Sequence, residues 1–157
     1  MFGILKDAEI NEVLKRQLTG RIACTRENLP YITPISYAFD GDYIYCHSEE
    51  GKKIDIMRHN PKICFQADEM KDMANWKSVI IEGEYEEILD SPERTRAMQI
   101  LLNRYLPMIS SVTTHLGDHW PFHPEHEKDI KGIIFRIRIL NRSGRYESNI
   151  ESPVLPG

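Results

Sequence analysis

Apolar positions near the start of the chain repeat at helical spacing. Ile10, Val13, Leu14 and Leu18 share one face, which predicts a short helix over Asp7 to Gln17, with Asp7 as its cap and Gly20 as its stop. The period then falls to two. Arg21–Arg26, Tyr31–Phe39, Asp42–His47, Lys62–Asp68 and Trp76–Leu89 read as strands. A turn through Glu27-Asn28-Leu29-Pro30 separates the first two, and Asp40-Gly41 is a two-residue hairpin signal before the third. Ile54–Arg58 reads as a short helical segment, broken by Pro61. A clearer helix opens at Ser91-Pro92-Glu93, where Ser91 suits the cap, Pro92 the first helical position and Glu93 the helix dipole. Ala97, Ile100, Leu101 and Tyr105 form its stripe, and Pro107 ends it. Lys131–Leu140 is the last strand, with Arg136 and Arg138 giving one polar side to an otherwise apolar run. The tail from Glu151, with two prolines, is expected to be loosely ordered.

Six strands in quick succession, with few helices between them, predict a mainly β fold: a six-stranded antiparallel barrel with flanking helices. Parallel crossovers need a dozen or more residues, and these connections are too short. No G-x-G-x-x-G follows a strand and no Walker loop is present, which speaks against the doubly wound nucleotide folds. With 157 residues and 41% hydrophobic content, the chain builds one core, and 1–157 reads as a single domain.

Charge narrows the partners. A formal net charge of -4 speaks against an extended nucleic-acid surface. No apolar run reaches the roughly 20 residues that cross a bilayer, so no membrane partner is expected. Met1 to Asn11 lacks a basic stretch followed by an apolar one. Cys24, Cys46 and Cys64 are odd in number, fall in predicted strands and form no C-x-x-C. They read as buried thiols of a reducing compartment, and the expected location is cytoplasmic.

Candidate chemistry concentrates in His47-Ser48-Glu49-Glu50-Gly51-Lys52-Lys53-Ile54, a strand-to-helix junction. A helix start offers free N–H groups and partial positive charge to a phosphate, glycine permits close approach, and lysines add charge on flexible stems. Taken alone, Gly51-Lys52-Lys53 also reads as a solvated turn, and the pattern does not tell which lysine faces inward. His47 follows Tyr43 and Tyr45 on one face of its strand; it reads either as a proton donor near neutrality or as a hydrogen-bonded structural histidine. Pro34 confines its part of the strand to an edge or a ligand-facing position. Tyr37, Tyr45 and Trp76 are candidate walls for a planar ligand. His115, His119, His123 and His126 lie in an irregular segment, where Gly117, Pro121 and Pro124 oppose a continuous helix. A histidine-rich loop without a metal is the reading; a metal site, in which His115 and His119 share a helix face, and a lid carrying Trp120 and Phe122 are the alternatives.

Several stretches occur in a recognisable order: Gly20-Arg21-Ile22-Ala23, Leu29 to Tyr37, Ile44 to Ser48, Gly51-Lys52-Lys53, Asn60 to Phe65, Trp76 to Ile80 with Gly83, and Ile139 to Arg145. This string resembles the flavin-binding split-barrel family that includes pyridoxamine 5′-phosphate oxidase, and within it the 5-nitroimidazole-resistance branch. The likeness covers most of 12–145, with 146–157 as a tail. At the end of the run, Arg145 stands where a Gly-Lys pair is usual. The resemblance implies a homodimer of split barrels with two flavins at the interface, FMN ahead of FAD. It implies that the flavin phosphate meets Ser48 and Lys52 or Lys53, and also Lys77 or Ser78 from Trp76-Lys77-Ser78-Val79. Thr33, Pro34, Ile35 and Ser36 would run along the ring edge, with His47 near the active site. The implied activity is a flavin-dependent oxidoreductase using NAD(P)H to reduce a small acceptor such as a nitroimidazole. A non-catalytic flavin carrier or sensor is the alternative, followed by a heme-handling relative and pyridoxamine phosphate oxidation.

Overall fold

The alternation closes into a ring. A computed structural model of the chain describes residues 1–105 and 132–149. Its elements are β1 (Phe2–Ile4), α1 (Asp7–Arg16), β2 (Thr19–Arg26), β3 (Leu29–Phe39), β4 (Tyr43–Ser48), α2 (Lys52–His59), β5 (Lys62–Asp72), β6 (Asn75–Glu87), α3 (Ser91–Tyr105) and β7 (Ile133–Glu147). The strands run antiparallel in the order β1-β7-β4-β3-β2-β5-β6, and β6 pairs back onto β7 to close the barrel. The six expected strands are all present. A seventh, β1, adds to the end of β7, with Phe2 opposite Glu147 and Ile4 opposite Arg145.

Inward-facing residues of the strands, among them Ile22, Tyr37, Phe65, Ile81 and Phe135, form the main core with Ile10, Val13 and Leu14 of α1 and Ile54 and Met57 of α2. A smaller core lies outside the ring, where Ala97, Met98, Leu101 and Leu102 of α3 cover Ala38, Tyr45 and Ile134. Cys24 and Cys46 are buried as expected, but Cys64 is exposed, because its neighbours Ile63 and Phe65 take the inward positions.

Three local readings are corrected. Asp7 is the first helical residue, and the Glu9 carboxylate accepts the N–H of Lys6 at 3.1 Å, so the cap lies one residue earlier. Gly20 does not end α1; it sits in β2, where a Cβ would lie 2.8 Å from the Gln66 carbonyl oxygen and against the Phe65 ring. Asp90, not Ser91, caps α3: its carboxylate accepts from the Glu93 N–H at 3.4 Å and its carbonyl from the Arg94 N–H at 2.8 Å.

The last carbonyls of α1 have no helical donors and are satisfied from elsewhere. The Tyr37 hydroxyl donates to Leu14 O at 2.7 Å, and Arg104 Nη2 donates to the carbonyls of Arg16 at 2.9 Å and Gln17 at 3.2 Å. The arginines of β7 meet glutamates of β6 across the seam: Arg138 reaches Glu84 at 2.6 Å and Arg136 reaches Glu86 at 3.2 Å.

Candidate functional site

The barrel is split where β3 leaves β4. Over Leu29–Ser36, β3 pairs with β2, but it meets β4 only over Tyr37–Phe39. The β2–β3 hairpin turns on Glu27 and Asn28, with φ of 52° and 62°, which suits a two-residue turn of the type that matches strand twist. Such a turn makes Arg26–Leu29 a hydrogen-bonded pair. Tyr31, Thr33 and Ile35 then direct their backbone groups to β2, and Ile32, Pro34 and Ser36 direct theirs to the open edge. The Tyr37 N–H donating to Leu18 O at 3.1 Å keeps the same phase. The N–H that Pro34 lacks would have pointed into the split, so the ladder loses nothing.

Across the split stands the start of α2. The first helical bond runs from the Asp55 N–H to Gly51 O at 3.1 Å, which leaves the N–H groups of Lys52, Lys53 and Ile54 without helical acceptors. Gly51 has an extended backbone, φ 177°, and a Cβ there would meet nothing within 4 Å. Among the described residues, the space before the helix is open. Lys52 Nζ lies 4.9 Å from the centre of the Tyr31 ring. Lys53 is half-buried, and its charge reaches two core thiols: burial pushes Cys24 and Cys46 up, and the Lys53 ammonium opposes it. Neither lysine makes an ion pair among the described residues.

Ser48 is buried, and its hydroxyl donates to Glu49 O at 3.0 Å inside the junction. Glu50 is gripped by both terminal nitrogens of Arg58 at 2.9 and 2.8 Å, while Arg58 Nε donates to Glu87 at 2.8 Å. That clamp ties the loop before α2 to β6. The Arg58 hydrogen bond is also the main reason the Glu87 carboxyl is held below its ordinary range.

His47 is placed by register. Tyr37 and Cys46 pair and face inward, and Ala38 and Tyr45 pair and face α3, so Ser36 and His47 share the outer face at the mouth of the split. The His47 ring packs against Gly132: a Cβ at that glycine, φ 106°, would lie 2.6 Å from Nε2. Tyr45 beside it is no acid near neutrality, being pushed up to about 12 by burial and then by Asp40.

The second expected phosphate segment lies elsewhere. Trp76 Nε1 donates to Glu147 at 2.9 Å. Ser78 accepts from Gln66 at 3.2 Å, in a cluster where Arg21 donates to Asp68 at 2.9 Å. Lys77 is half-buried, and Val79 is fully buried, its side chain directed into the core. Arg21, beside this cluster, and Arg26, beside α2, are five residues apart on β2, about 17 Å at about 3.4 Å per residue. One copy of the chain therefore does not bring Lys52 and Ser78 to the same phosphate.

Of the expected aromatic walls, Tyr37 and Tyr45 are excluded, because both are buried as core side chains. Trp76 remains, half-buried at the start of β6. Among the described residues, Tyr31 is the aromatic side chain that lies at the split beside α2. It lines an open groove of about 320 Å³ with Arg26, Leu29, Lys52, Asp55 and Ile56. The groove escapes sequence reading because the hairpin turn and α2 meet only in three dimensions. His115, His119, His123 and His126, with Trp120 and Phe122, lie outside the described residues. Among the described residues, no group of three or more His, Cys, Asp or Glu is placed to hold a metal ion, and no helix is long and apolar enough to cross a membrane.

An ammonium-flanked helix start, facing a strand edge whose alternating donors and acceptors no other described strand takes up, can hold a phosphate ester and a planar heterocycle side by side. Comparison with known proteins bears on what that pair is. The model of the family described as pyridoxamine 5′-phosphate oxidase matches residues 6–146. The chain belongs to the pyridoxamine 5′-phosphate oxidase family. A FAD-binding protein from Mesorhizobium loti, known from a crystal structure, is 31% identical to this chain, with a TM-score of 0.71 over 94% of this chain and 99% of that one. Two other solved structures share the fold. A candidate 5-nitroimidazole antibiotic resistance protein from Bacteroides thetaiotaomicron is 18% identical, with a TM-score of 0.69 over 93% of this chain and 89% of that one. A FAD-binding protein from Mycobacterium smegmatis is 20% identical, with a TM-score of 0.66 over 92% and 98%. An uncharacterized protein of Rhizobium meliloti (strain 1021) is 48% identical over 69 residues, 44% of this chain and 46% of that protein. This member of the oxidase family thus aligns with about half the length of that relative.

Proposed function

We propose that the chain is a flavin-binding oxidoreductase that takes electrons from NAD(P)H and delivers them to a small acceptor such as a nitroimidazole. The observation that carries the reading is the split itself, with the open edge of β3 on one side and the start of α2 on the other. The fit is chemical. A phosphate ester needs charge-assisted donors, and Lys52, Lys53 and the three N–H groups without helical acceptors supply them. The polar edge of a flavin ring needs alternating donors and acceptors, and the outward backbone groups of Ile32 and Ser36 supply those. The FAD-binding relative from Mesorhizobium loti supports the same assignment. When bound, flavin supplies hydride acceptance and electron transfer. The chain contributes binding, and His47, on the same outer face as Ser36, would donate a proton or a hydrogen bond to the acceptor.

The proposal includes a homodimer. Trp76 to Val79 lie too far along the sheet from Lys52 to share a phosphate within one copy, and a second copy can bring them there. The outer sheet face offers the surface. Ile32 and Ile80 stay 68% and 47% exposed on it, beside Ala23, Pro34 and Cys64.

The test is an absorbance spectrum of the protein loaded with flavin, followed by anaerobic addition of NADH or NADPH. Flavin bands that bleach on donor addition support the oxidoreductase. Bands that persist make the chain a flavin carrier or sensor. A protein that takes up neither FMN nor FAD refutes the reading.

A further inference from the structure

We infer that Arg58 is a positioning residue for phosphate binding: by gripping Glu50 it keeps the chain's own carboxylate off the start of α2. This rests on the flavin reading of the split. The loop before α2 carries two acids, Glu49 and Glu50, next to the N–H groups of Lys52, Lys53 and Ile54 that have no helical acceptors. A carboxylate is itself a good ligand for a helix start, because it accepts from the N–H groups and meets the positive end of the dipole. It would fill the place that a phosphate needs. Yet no side chain caps α2, and Gly51 at the cap position has none to offer. Glu50, the residue before it, is occupied elsewhere. Both of its carboxylate oxygens accept from the terminal nitrogens of Arg58, at 2.9 and 2.8 Å.

The grip is itself supported. Arg58 stands in the last turn of α2, eight residues after Glu50. Its Nε donates to Glu87 of β6 at 2.8 Å, and the same Glu87 oxygen accepts from the Tyr85 hydroxyl at 2.6 Å. Tyr85 packs on Phe135 with ring centres 5.0 Å apart, so the anchor reaches the barrel core. The Tyr85 N–H also donates to Pro61 O at 2.8 Å, just beyond the end of α2. With Nε fixed, the planar fork turns its terminal nitrogens to the loop. Glu87 therefore aims the guanidinium, and the guanidinium holds Glu50. A lysine would supply charge without that two-pronged geometry. Asp55, the acid in the first turn of α2, is engaged in the same manner, by Arg26 at 2.6 Å. Glu49 is the exception, exposed and with no ion pair among the described residues.

The experiment is calorimetric titration of the flavin-free protein with FMN, FAD and riboflavin, which lacks the phosphate, in wild type and variants. Arg58→Met should weaken FMN and FAD at least about fivefold, what a typical capping side chain is worth to a helix start, and leave riboflavin unchanged. Glu50→Gln alone should bind FMN and FAD at least as tightly as wild type. Adding Glu50→Gln to Arg58→Met should recover the lost affinity, although the Glu87 contact stays broken; adding Glu49→Gln should not. Arg58→Lys should fall between wild type and Arg58→Met, and it replaces the methionine variant if circular dichroism shows that Arg58→Met does not fold. A double variant with Glu50→Gln that stays weak overturns the inference, since Arg58 would then act by stiffening the loop. Equal recovery by Glu49→Gln overturns it too, as does equal weakening of all three flavins by Arg58→Met. Each of these results leaves the flavin reading intact. A wild-type protein that binds none of the three overturns both.

Discussion

Replacing Tyr37 by Phe removes one oxygen atom from the centre of the barrel. The ring would stay where it is, edge-on to Phe65 with centroids 4.9 Å apart, because the packing partners do not change. What is lost is the 2.7 Å hydrogen bond to the carbonyl of Leu14. That carbonyl belongs to the last turn of α1, where helical donors have run out, and Leu14 is 1% exposed, so water does not replace the phenol. Leaving a buried acceptor unsatisfied costs about 1–3 kcal/mol. In a chain of this size each kcal/mol moves the melting midpoint by roughly 2–4 °C, so the expected drop is about 2–12 °C. Urea denaturation of wild type and Tyr37→Phe at neutral pH measures the energy, and differential scanning calorimetry measures the midpoint. A loss below about 0.5 kcal/mol, the range of ordinary surface changes, would refute the argument that the phenol caps α1.

Other perturbations probe different parts of the molecule. Gly51→Ala should leave stability within about 1 kcal/mol, since the backbone is extended and a Cβ meets nothing, yet it should weaken FMN binding by placing a methyl before α2; unchanged FMN affinity in a titration argues against a phosphate there. Gly20→Ala drives a Cβ into the Phe65 ring and to 2.8 Å from the Gln66 carbonyl, and the cost should be about 1–3 kcal/mol or more by urea midpoint; a neutral result would mean that β2 and β5 move apart freely. The depressed Glu87 carboxyl contributes stability that is fully present above its ordinary pKa, 4.5, and is lost as pH falls through the lower folded value. Urea midpoints should therefore drop below about pH 4.5, and Arg58→Met should flatten that drop; an equally steep fall in the variant would assign it to other carboxylates.

Most of the barrel is legible as alternation. Ile63, Phe65 and Ala67 against Lys62, Cys64 and Gln66 predict both the strand and its inner face, and Pro34 marks the free edge of β3 before any pairing is known. What escapes has local reasons. Asn141 to Glu147, the far half of β7, carry no apolar alternation, because their exposed positions face solvent and Gly144 is pressed against Leu5. β1 has three residues, too few for a period, and exists only because β7 offers it an edge. The two phosphate segments are visible as motifs, but nothing in their spacing tells that they stand at opposite ends of β2. The groove needs Arg26, Tyr31 and Asp55 together, and no local pattern joins residues on a turn to residues on a helix.

The seam between β6 and β7 has a consequence for assembly on the way to the native state. Glu82, Glu84 and Glu86 stand on one face of β6, and their partners across the seam include Arg138 and Arg136, the latter opposite Glu86 and beside Glu93. β7 follows β6 only after α3 and a long connection, so during folding β6 waits as an exposed edge. Two such edges from different chains would bring glutamate against glutamate and repel, whereas the arginines of β7 are attracted from the same chain. The acidic row thus acts as a selective latch. It discourages sheet-to-sheet aggregation of half-folded chains and reserves the edge for the strand that closes the ring, a protection that weakens at low pH or high salt, where the row loses its charge or its reach.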